Sequence, residues 1–348
     1  MNTMFIAISD CKEGIILAES VPNRLGATIV TEYTVLNNYI INRLIELGVQ
    51  QVNVFEASVK DDSRKENSIN KRIKKSYSQS ILNIKSVVNE LAAGKPLNAA
   101  KINSISDTVY SGIYDSTNIL KILSRAKEFD EYTYTHSLNV AFYSMLIGKW
   151  LRLGEESIRE IIKAGLLHDI GKTKVPLEIL NKKTKLHDEE FEIIKNHTLY
   201  GYDLSISSNC FTERVCNAVL SHHEREDGSG YPFGIIGKQI DIFTKIIAVA
   251  DVYDAMTSDR LYKKRATPFE VFEMFQTIGV KNFNHKIVKT FLTNLAGCYI
   301  GSKVMLDTGE IGEVVYIPLH NITEPVIYVG SDYLDLSESK SKKIVCMV

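Results

Sequence analysis

Seven side chains of the kinds that bind metal ions occur at five places in the middle of this 348-residue sequence. His136 lies in DEYTYTHSLNVAFYSMLIGKWL, and His168 with Asp169 closes the apolar run ESIREIIKAGLLHD. His197 follows in EEFEIIKNHTLYGYDL, His222 and His223 open HHEREDGSGYP, and Asp251 sits in TKIIAVADVYDAM. Each place falls on, or at the end of, a separate predicted helix. A helical bundle builds metal sites in this way, with side chains of facing helices projecting inward. Imidazole and carboxylate without thiolate favour a catalytic centre over a structural zinc cage. Seven ligands exceed the needs of one ion, so two ions sharing a carboxylate fit better, and Asp169 beside His168 is the natural bridge.

Single residues carry less weight than the set. A lone histidine on a helix is ordinarily a surface residue or a satisfied core residue. His187-Asp188 in KLHDEEF makes the contrast: there Asp188 opens an acidic helical turn and suits a capping or macrodipole role, and His187 reads as exposed. His168-Asp169 ends an apolar helix instead, where polar groups must be paired or coordinate something. His222 and His223 diverge by about 100° on a regular helix, so both can reach one centre only if the helix ends there. The break at Gly228 is the expected end.

The elements that must position these groups follow from periodicity. Residues 128–296 are almost entirely helical in pattern, punctuated by Pro176, Pro232 and the glycine-rich turn. Before them, 1–60 reads as a small α+β module, with strand signals in FIAIS, IILAES, ATIV and VNVFE and a helix in VLNNYIINRLIEL ending at Gly48. Residues 61–127 read as a helical connector, with one long helix from Asn67 to about Ala93 and a second over 100–127; the last helix may equally be counted with the bundle. After Gly297, CYIGSKVML, GEIGEVVYI, EPVIYVG and KKIVCMV alternate as strands, with Asp307-Thr308-Gly309 as a hairpin turn, so 297–348 forms a short β module. The fold class is mainly α, a helical bundle with a small module at each end.

Bulk properties exclude several classes. A net charge of −1 gives no support to DNA or RNA binding, and the basic run SRKENSINKRIKK reads as a solvated helix face. No apolar run reaches the roughly 18–20 residues of a membrane span. The N-terminal MNTMFIAISD does not read as a signal peptide, and five cysteines without a CxxC pair suit a reducing compartment. The expected location is the cytoplasm.

HDIGK, then HHEREDGSGYP, then ADVYDAMTSDRLYKKR, in order over 128–296, resemble the HD-GYP family of cyclic dinucleotide phosphodiesterases, a branch of the HD phosphohydrolase superfamily. The resemblance implies an HD-type helical bundle and makes His136, His168, Asp169, His197, His222, His223 and Asp251 ligands of two divalent transition metals, iron or manganese, with Asp169 bridging. It implies catalytic roles for Asp169, Lys172 and Asp254. It puts Lys172, Arg260 and Lys263 against substrate phosphates, with Tyr231 and Phe233 beside the substrate, and demotes Glu224 to Asp227 to support or surface.

The implied reaction is hydrolysis of cyclic di-GMP, a bacterial second messenger, to linear pGpG, with GMP the product of a second cut. Departures from the family pattern bear on substrate preference. Tyr132 stands where some members have a third-metal glutamate, Phe233 and Asn139 where arginine is frequent, and FNHK (283–286) replaces Phe-Asp-Pro. Another cyclic dinucleotide, such as cyclic GMP-AMP, is therefore the nearest alternative. A non-hydrolysing nucleotide receptor would be expected to lack a ligand, and none is missing. The connector helices allow a homodimer, and intrachain packing serves them equally.

Overall fold

The computed structural model describes residues 2–56, 63–111, 132–182, 184–258, 265–339 and 341–348, and only the backbone of 63–73 and 132–133. Arg260 and Lys263 lie outside the described residues, as does the side chain of Tyr132.

Strand β1 (Thr3–Ala7) pairs antiparallel with β4 (Gln51–Phe55), Thr3 opposite Phe55. Between them β2 (Val21–Pro22) pairs with β3 (Thr28–Val30), and α1 (Asn38–Glu46) begins where the Asn37 side chain accepts the Ile40 N–H at 2.9 Å. IILAES, expected as a strand, makes only isolated bridges at Ile16 and Leu17. This module has its own core, in which Leu17, Leu36, Ile40, Leu44 and Val54 are fully buried.

Helices α2 (Ser63–Ala92) and α3 (Ala99–Ser111) follow. The bundle proper comprises α4 (Tyr132–Trp150), α5 (Glu155–Leu167), a tight 3-10 turn at Ile170–Lys174, α6 (Leu177–Leu180), α7 (Asp188–Lys195), α8 (His197–Ser207), α9 (Glu213–Ser221), α10 (Ile242–Thr257), α11 (Pro268–Gln276) and α12 (His285–Ala296). Helix α10 is apolar around most of its circumference and runs through the middle, starting where Asp241 accepts the Phe243 N–H at 2.8 Å. A helix apolar on all sides is buried on all sides, so Asp251 and Asp254 are carried into the interior.

The chain ends in a five-stranded antiparallel sheet of β5 (Lys303–Leu306), β6 (Ile311–Tyr316), β7 (Val326–Val329), β8 (Asp332–Asp335) and β9 (Ile344–Met347), in the order β8-β7-β6-β5-β9. The Asp307-Thr308-Gly309 turn joins β5 and β6 as expected, with Gly309 at φ 84°. Strand β8 has no counterpart among the sequence signals, because DYLD is mostly polar and largely exposed. Cys298 and Tyr299, read as strand, lie in a 3-10 turn over Gly297–Tyr299.

One hydrophobic core joins parts that the sequence pattern separates. Tyr77, Ile84 and Val87 of α2, Ile102, Ile105 and Val109 of α3, the bundle helices, and Val304, Leu306, Val314 and Ile327 of the sheet are buried in a single cluster. The two end modules also meet: Asn37 Nδ2 donates to the Val315 carbonyl at 2.9 Å, and the Tyr39 ring packs on Tyr316 and Tyr333.

Candidate metal centre

Helix ends deliver most of the polar groups. His136 rises from the first turns of α4, His168 caps the C-terminus of α5, and Asp169 turns directly into the 3-10 segment. His197 is the first residue of α8, and His222 caps α9. Helix α9 therefore ends at Ser221, earlier than the expected stop at Gly228, and this early end lets His222 and His223 face the same centre. The turn after Asp169 lies hard against α8, since a Cβ on Gly171 would sit 1.9 Å from the His197 carbonyl oxygen. Only glycine fits there.

The structure brings all seven expected ligands together in two groups. Donor atoms of His136, His168 and Asp251 lie within 4.8 Å of one another, and so do those of Asp169, His197, His222 and His223. Asp169 stands between them. Its Oδ2 is 3.4 Å from His168 Nε2 and 3.8 Å from His136 Nε2, while its Oδ1 is 3.4 Å from His197 Nε2 and 4.0 Å from His222 Nε2. Asp251 reaches 3.1 Å from His136 Nε2 through Oδ1 and 4.0 Å from His223 Nδ1 through Oδ2.

Hydrogen bonds fix which imidazole nitrogens are available. His168 Nδ1 donates to the Gly165 carbonyl at 2.8 Å, His197 Nδ1 to Ile194 at 2.6 Å and His222 Nδ1 to Val219 at 2.7 Å. A carbonyl oxygen can only accept, so each Nδ1 carries the proton and each Nε2 of a neutral ring presents a lone pair. His197 Nε2 and His222 Nε2 then face each other at 3.3 Å, an arrangement that needs positive charge between them. Among the described residues, His168 Nε2 and Asp169 Oδ1 are buried without a hydrogen-bond partner. A cation would satisfy all of these atoms, and the donor set fits a divalent ion.

The electrostatics of these side chains agree. Burial lowers the His222 pKa well below the usual imidazole value, brings His223 down to about 3, and lowers His197, so these three rings stay neutral. Burial also opposes ionisation of Asp169 and Asp251. Lys172 outweighs it at Asp169, and His136 outweighs it at Asp251, so both remain carboxylates. His136 is the exception: burial disfavours its charge, yet hydrogen bonds to Asp251 and Asp254 raise its pKa to about 9.

Lys172 Nζ donates to Asp169 Oδ2 at 2.6 Å and is partly exposed at the rim. Asp254, expected among the catalytic groups, is instead fully buried behind His136, whose Nδ1 donates to its Oδ2 at 2.8 Å. Its carboxylate contacts His136 rather than solvent. Asn139, read as bearing on substrate preference, donates to Asp254 Oδ1 at 2.9 Å and is also buried.

The HHEREDGSGYP loop wraps over one side. Glu224 is buried, and its carboxylate accepts the N–H groups of Phe233 at 2.7 Å and Ile235 at 3.1 Å. A Cβ on Gly230 would lie 2.4 Å from the Glu224 Cα, so glycine is what lets the loop close. Tyr231 stacks on His223 with ring centroids 4.6 Å apart, while the Phe233 ring is exposed. Lys195 and Phe191 of α7, which motif reading passed over, complete this edge. Lys195 Nζ is 5.6 Å from the Tyr231 ring and 5.0 Å from Phe191. Their only sequence signal is a place two and six residues, respectively, before His197.

Residues 120–283 match the HD domain family. This stretch is an HD domain. Its sequence relatives carry the same kind of name: the chain is 36% identical over 231 residues to "Cyclic di-GMP phosphodiesterase PA4108" of Pseudomonas aeruginosa, covering 66% of this chain and 55% of that protein. It is 37% identical over 149 residues to "3'3'-cGAMP-specific phosphodiesterase 1" of Vibrio cholerae, covering 42% and 34%. The chain thus spans about half, or less, of these relatives. In fold, the HD domain and its flanking elements are similar to Bd1817, a HDG"Y"P protein from Bdellovibrio bacteriovorus, with a TM-score of 0.55 at 15% identity over 84% of this chain and 99% of that one. Around the HD domain, no helix of the described residues is long and apolar enough to cross a membrane.

Proposed function

We propose that the chain is a metal-dependent phosphodiesterase that hydrolyses cyclic di-GMP to linear pGpG, with GMP the product of a second cut. The observation that carries this reading is Asp169 between two groups of donor atoms, with the Nε2 lone pairs of His168, His197 and His222 facing no proton. His136, His168 and Asp251 would hold one divalent ion, His197, His222 and His223 the other, and Asp169 both. Such ions, iron or manganese on this ligand set, supply an activated water and screen the phosphoryl oxygens.

The chain's own groups do the rest. Lys172, already at the rim beside Asp169, compensates negative charge that develops on the phosphoryl oxygens. Arg260 and Lys263 are the proposed further phosphate contacts. Tyr231, held by its stack on His223, offers a flat face to a base, and Phe233 presents an apolar edge beside it. Cyclic GMP-AMP is the second reading, supported by the similarity to a cGAMP-specific relative.

The test is anaerobic purification, metal analysis per chain, and turnover of cyclic di-GMP and cyclic GMP-AMP by wild type and Asp169→Ala. Two metal equivalents with turnover lost in the variant is the expected result. No turnover by the fully loaded wild type would falsify the enzyme reading, and faster cleavage of the mixed dinucleotide would reassign the substrate.

A further inference from the structure

A chain of buried hydrogen bonds leads from the metal centre to a helix that precedes the HD domain. His136 Nδ1 donates to Asp254 Oδ2 at 2.8 Å, and Asn139 Nδ2 donates to Asp254 Oδ1 at 2.9 Å. The remaining Asn139 oxygen accepts the Tyr77 hydroxyl at 2.6 Å. Tyr77 belongs to α2, which lies before the matched stretch 120–283. Tyr77, Asn139 and Asp254 are 3%, 2% and 0% exposed, so water does not compete for these bonds.

Packing alone accounts for the Tyr77 ring, which stacks on Phe142 with centroids 6.0 Å apart. It does not account for the hydroxyl. Asp254 Oδ1 accepts the amide NH₂ at 2.9 Å beside a longer bond from the Ser258 hydroxyl at 3.3 Å, and this orientation leaves the amide oxygen buried and facing α2. The Tyr77 hydroxyl satisfies that oxygen. Without it, an acceptor would be stranded in the interior, and the amide would relax at the expense of its bond to Asp254.

We propose that Tyr77 is a positioning residue for the metal centre: through Asn139 and Asp254 it holds the His136 ring, so the seating of α2 on the bundle governs how tightly one of the two cations is bound. The proposal rests on the two-ion reading above and extends it to a residue outside the HD domain. A partner of a metal-bound histidine typically contributes about 10–100-fold in affinity, and Tyr77 acts at two further bonds' remove. The expected loss in Tyr77→Phe is therefore smaller, about three- to tenfold.

The experiment titrates the metal-free full chain with Mn(II) against a competing chelator, counting bound ions by electron paramagnetic resonance. Wild type, Tyr77→Phe, Asn139→Leu, the double variant and His136→Ala are compared. Tyr77→Phe keeps the ring stack and should weaken one of two sites while sparing the other. In the Asn139→Leu background it should add nothing. As a readout independent of the double variant, the His136 Nδ1 proton resonance of the metal-free chain should shift in Tyr77→Phe. Unchanged affinity and resonance in Tyr77→Phe, or an equal further loss in the Asn139→Leu background, would overturn the relay while His136→Ala still removes one ion. Two ions retained by His136→Ala would overturn the two-ion reading together with the relay.

Discussion

At the scale of single residues, the centre sets imidazole lone pairs and carboxylates around one proton. His136, between Asp251 and Asp254, carries it below about pH 9, where a cation would otherwise sit. A folded-state pKa above the ordinary imidazole value means the ring is charged at neutral pH, and an incoming ion must displace the proton. Mn(II) affinity at this site should rise by up to about tenfold per pH unit between pH 7 and 9 and level off above. Chelator competition at pH 7 and pH 8 checks this, and identical affinities would contradict it. Lys172→Ala tests the other side of the centre. It should leave two metal equivalents bound while kcat falls about 10²–10³-fold, as for other groups that stabilise developing charge. Metal loss in this variant would instead make Lys172 part of the ion cage.

These residues were legible because histidine and aspartate announce chemistry by type, and the family motifs fix their order. Asp254 was legible as a partner of Asp251 one turn away on α10, but its direction was not: which face of a buried helix meets His136 is decided by packing. Asn139 and Tyr77 were illegible as a pair, since they lie 62 positions apart and either side chain reads as ordinary core or polar filler.

At the scale of elements, the loop after α9 is held by one carboxylate. Glu224 offers an oxygen each to the Phe233 and Ile235 N–H groups, so Glu224→Ala leaves two backbone donors to find other partners. The cost should be about 1–3 kcal/mol in urea denaturation, with a rise in KM as the Tyr231 face loosens. Glu224→Gln, which keeps one acceptor, should fall between. The demotion of this residue to support came from the family comparison, because a glutamate next to two histidines has the composition of a ligand. The strand signals were less reliable. IILAES has β-rich composition yet only bridges its neighbours, and DYLD has little yet pairs along its whole length with β7.

At the scale of the whole molecule, the pattern along the chain suggests a module, a connector, a bundle and a second module, whereas the main core runs through three of them. Helix periodicity shows which face of α2 is apolar and cannot show what covers it; Tyr77, Ile84 and Val87 are covered by the bundle. A fragment of residues 128–296 alone should therefore expose the surfaces that meet α2, α3 and the sheet. It is expected to lack a cooperative thermal transition by circular dichroism, while the full chain shows one. A sharp melt of the fragment would mean that the shared core is not needed for folding.

The bond from Asn37 to the Val315 carbonyl has a consequence during synthesis. The two residues are 278 positions apart, so at about 5–20 residues per second the first waits roughly 15–60 s for the second to be made. Through that interval Tyr39 faces water with neither tyrosine it will later pack against. The early module must hold its own shape on the ribosome while one flank stays open, until the strands that carry Tyr316 and Tyr333 emerge to close it.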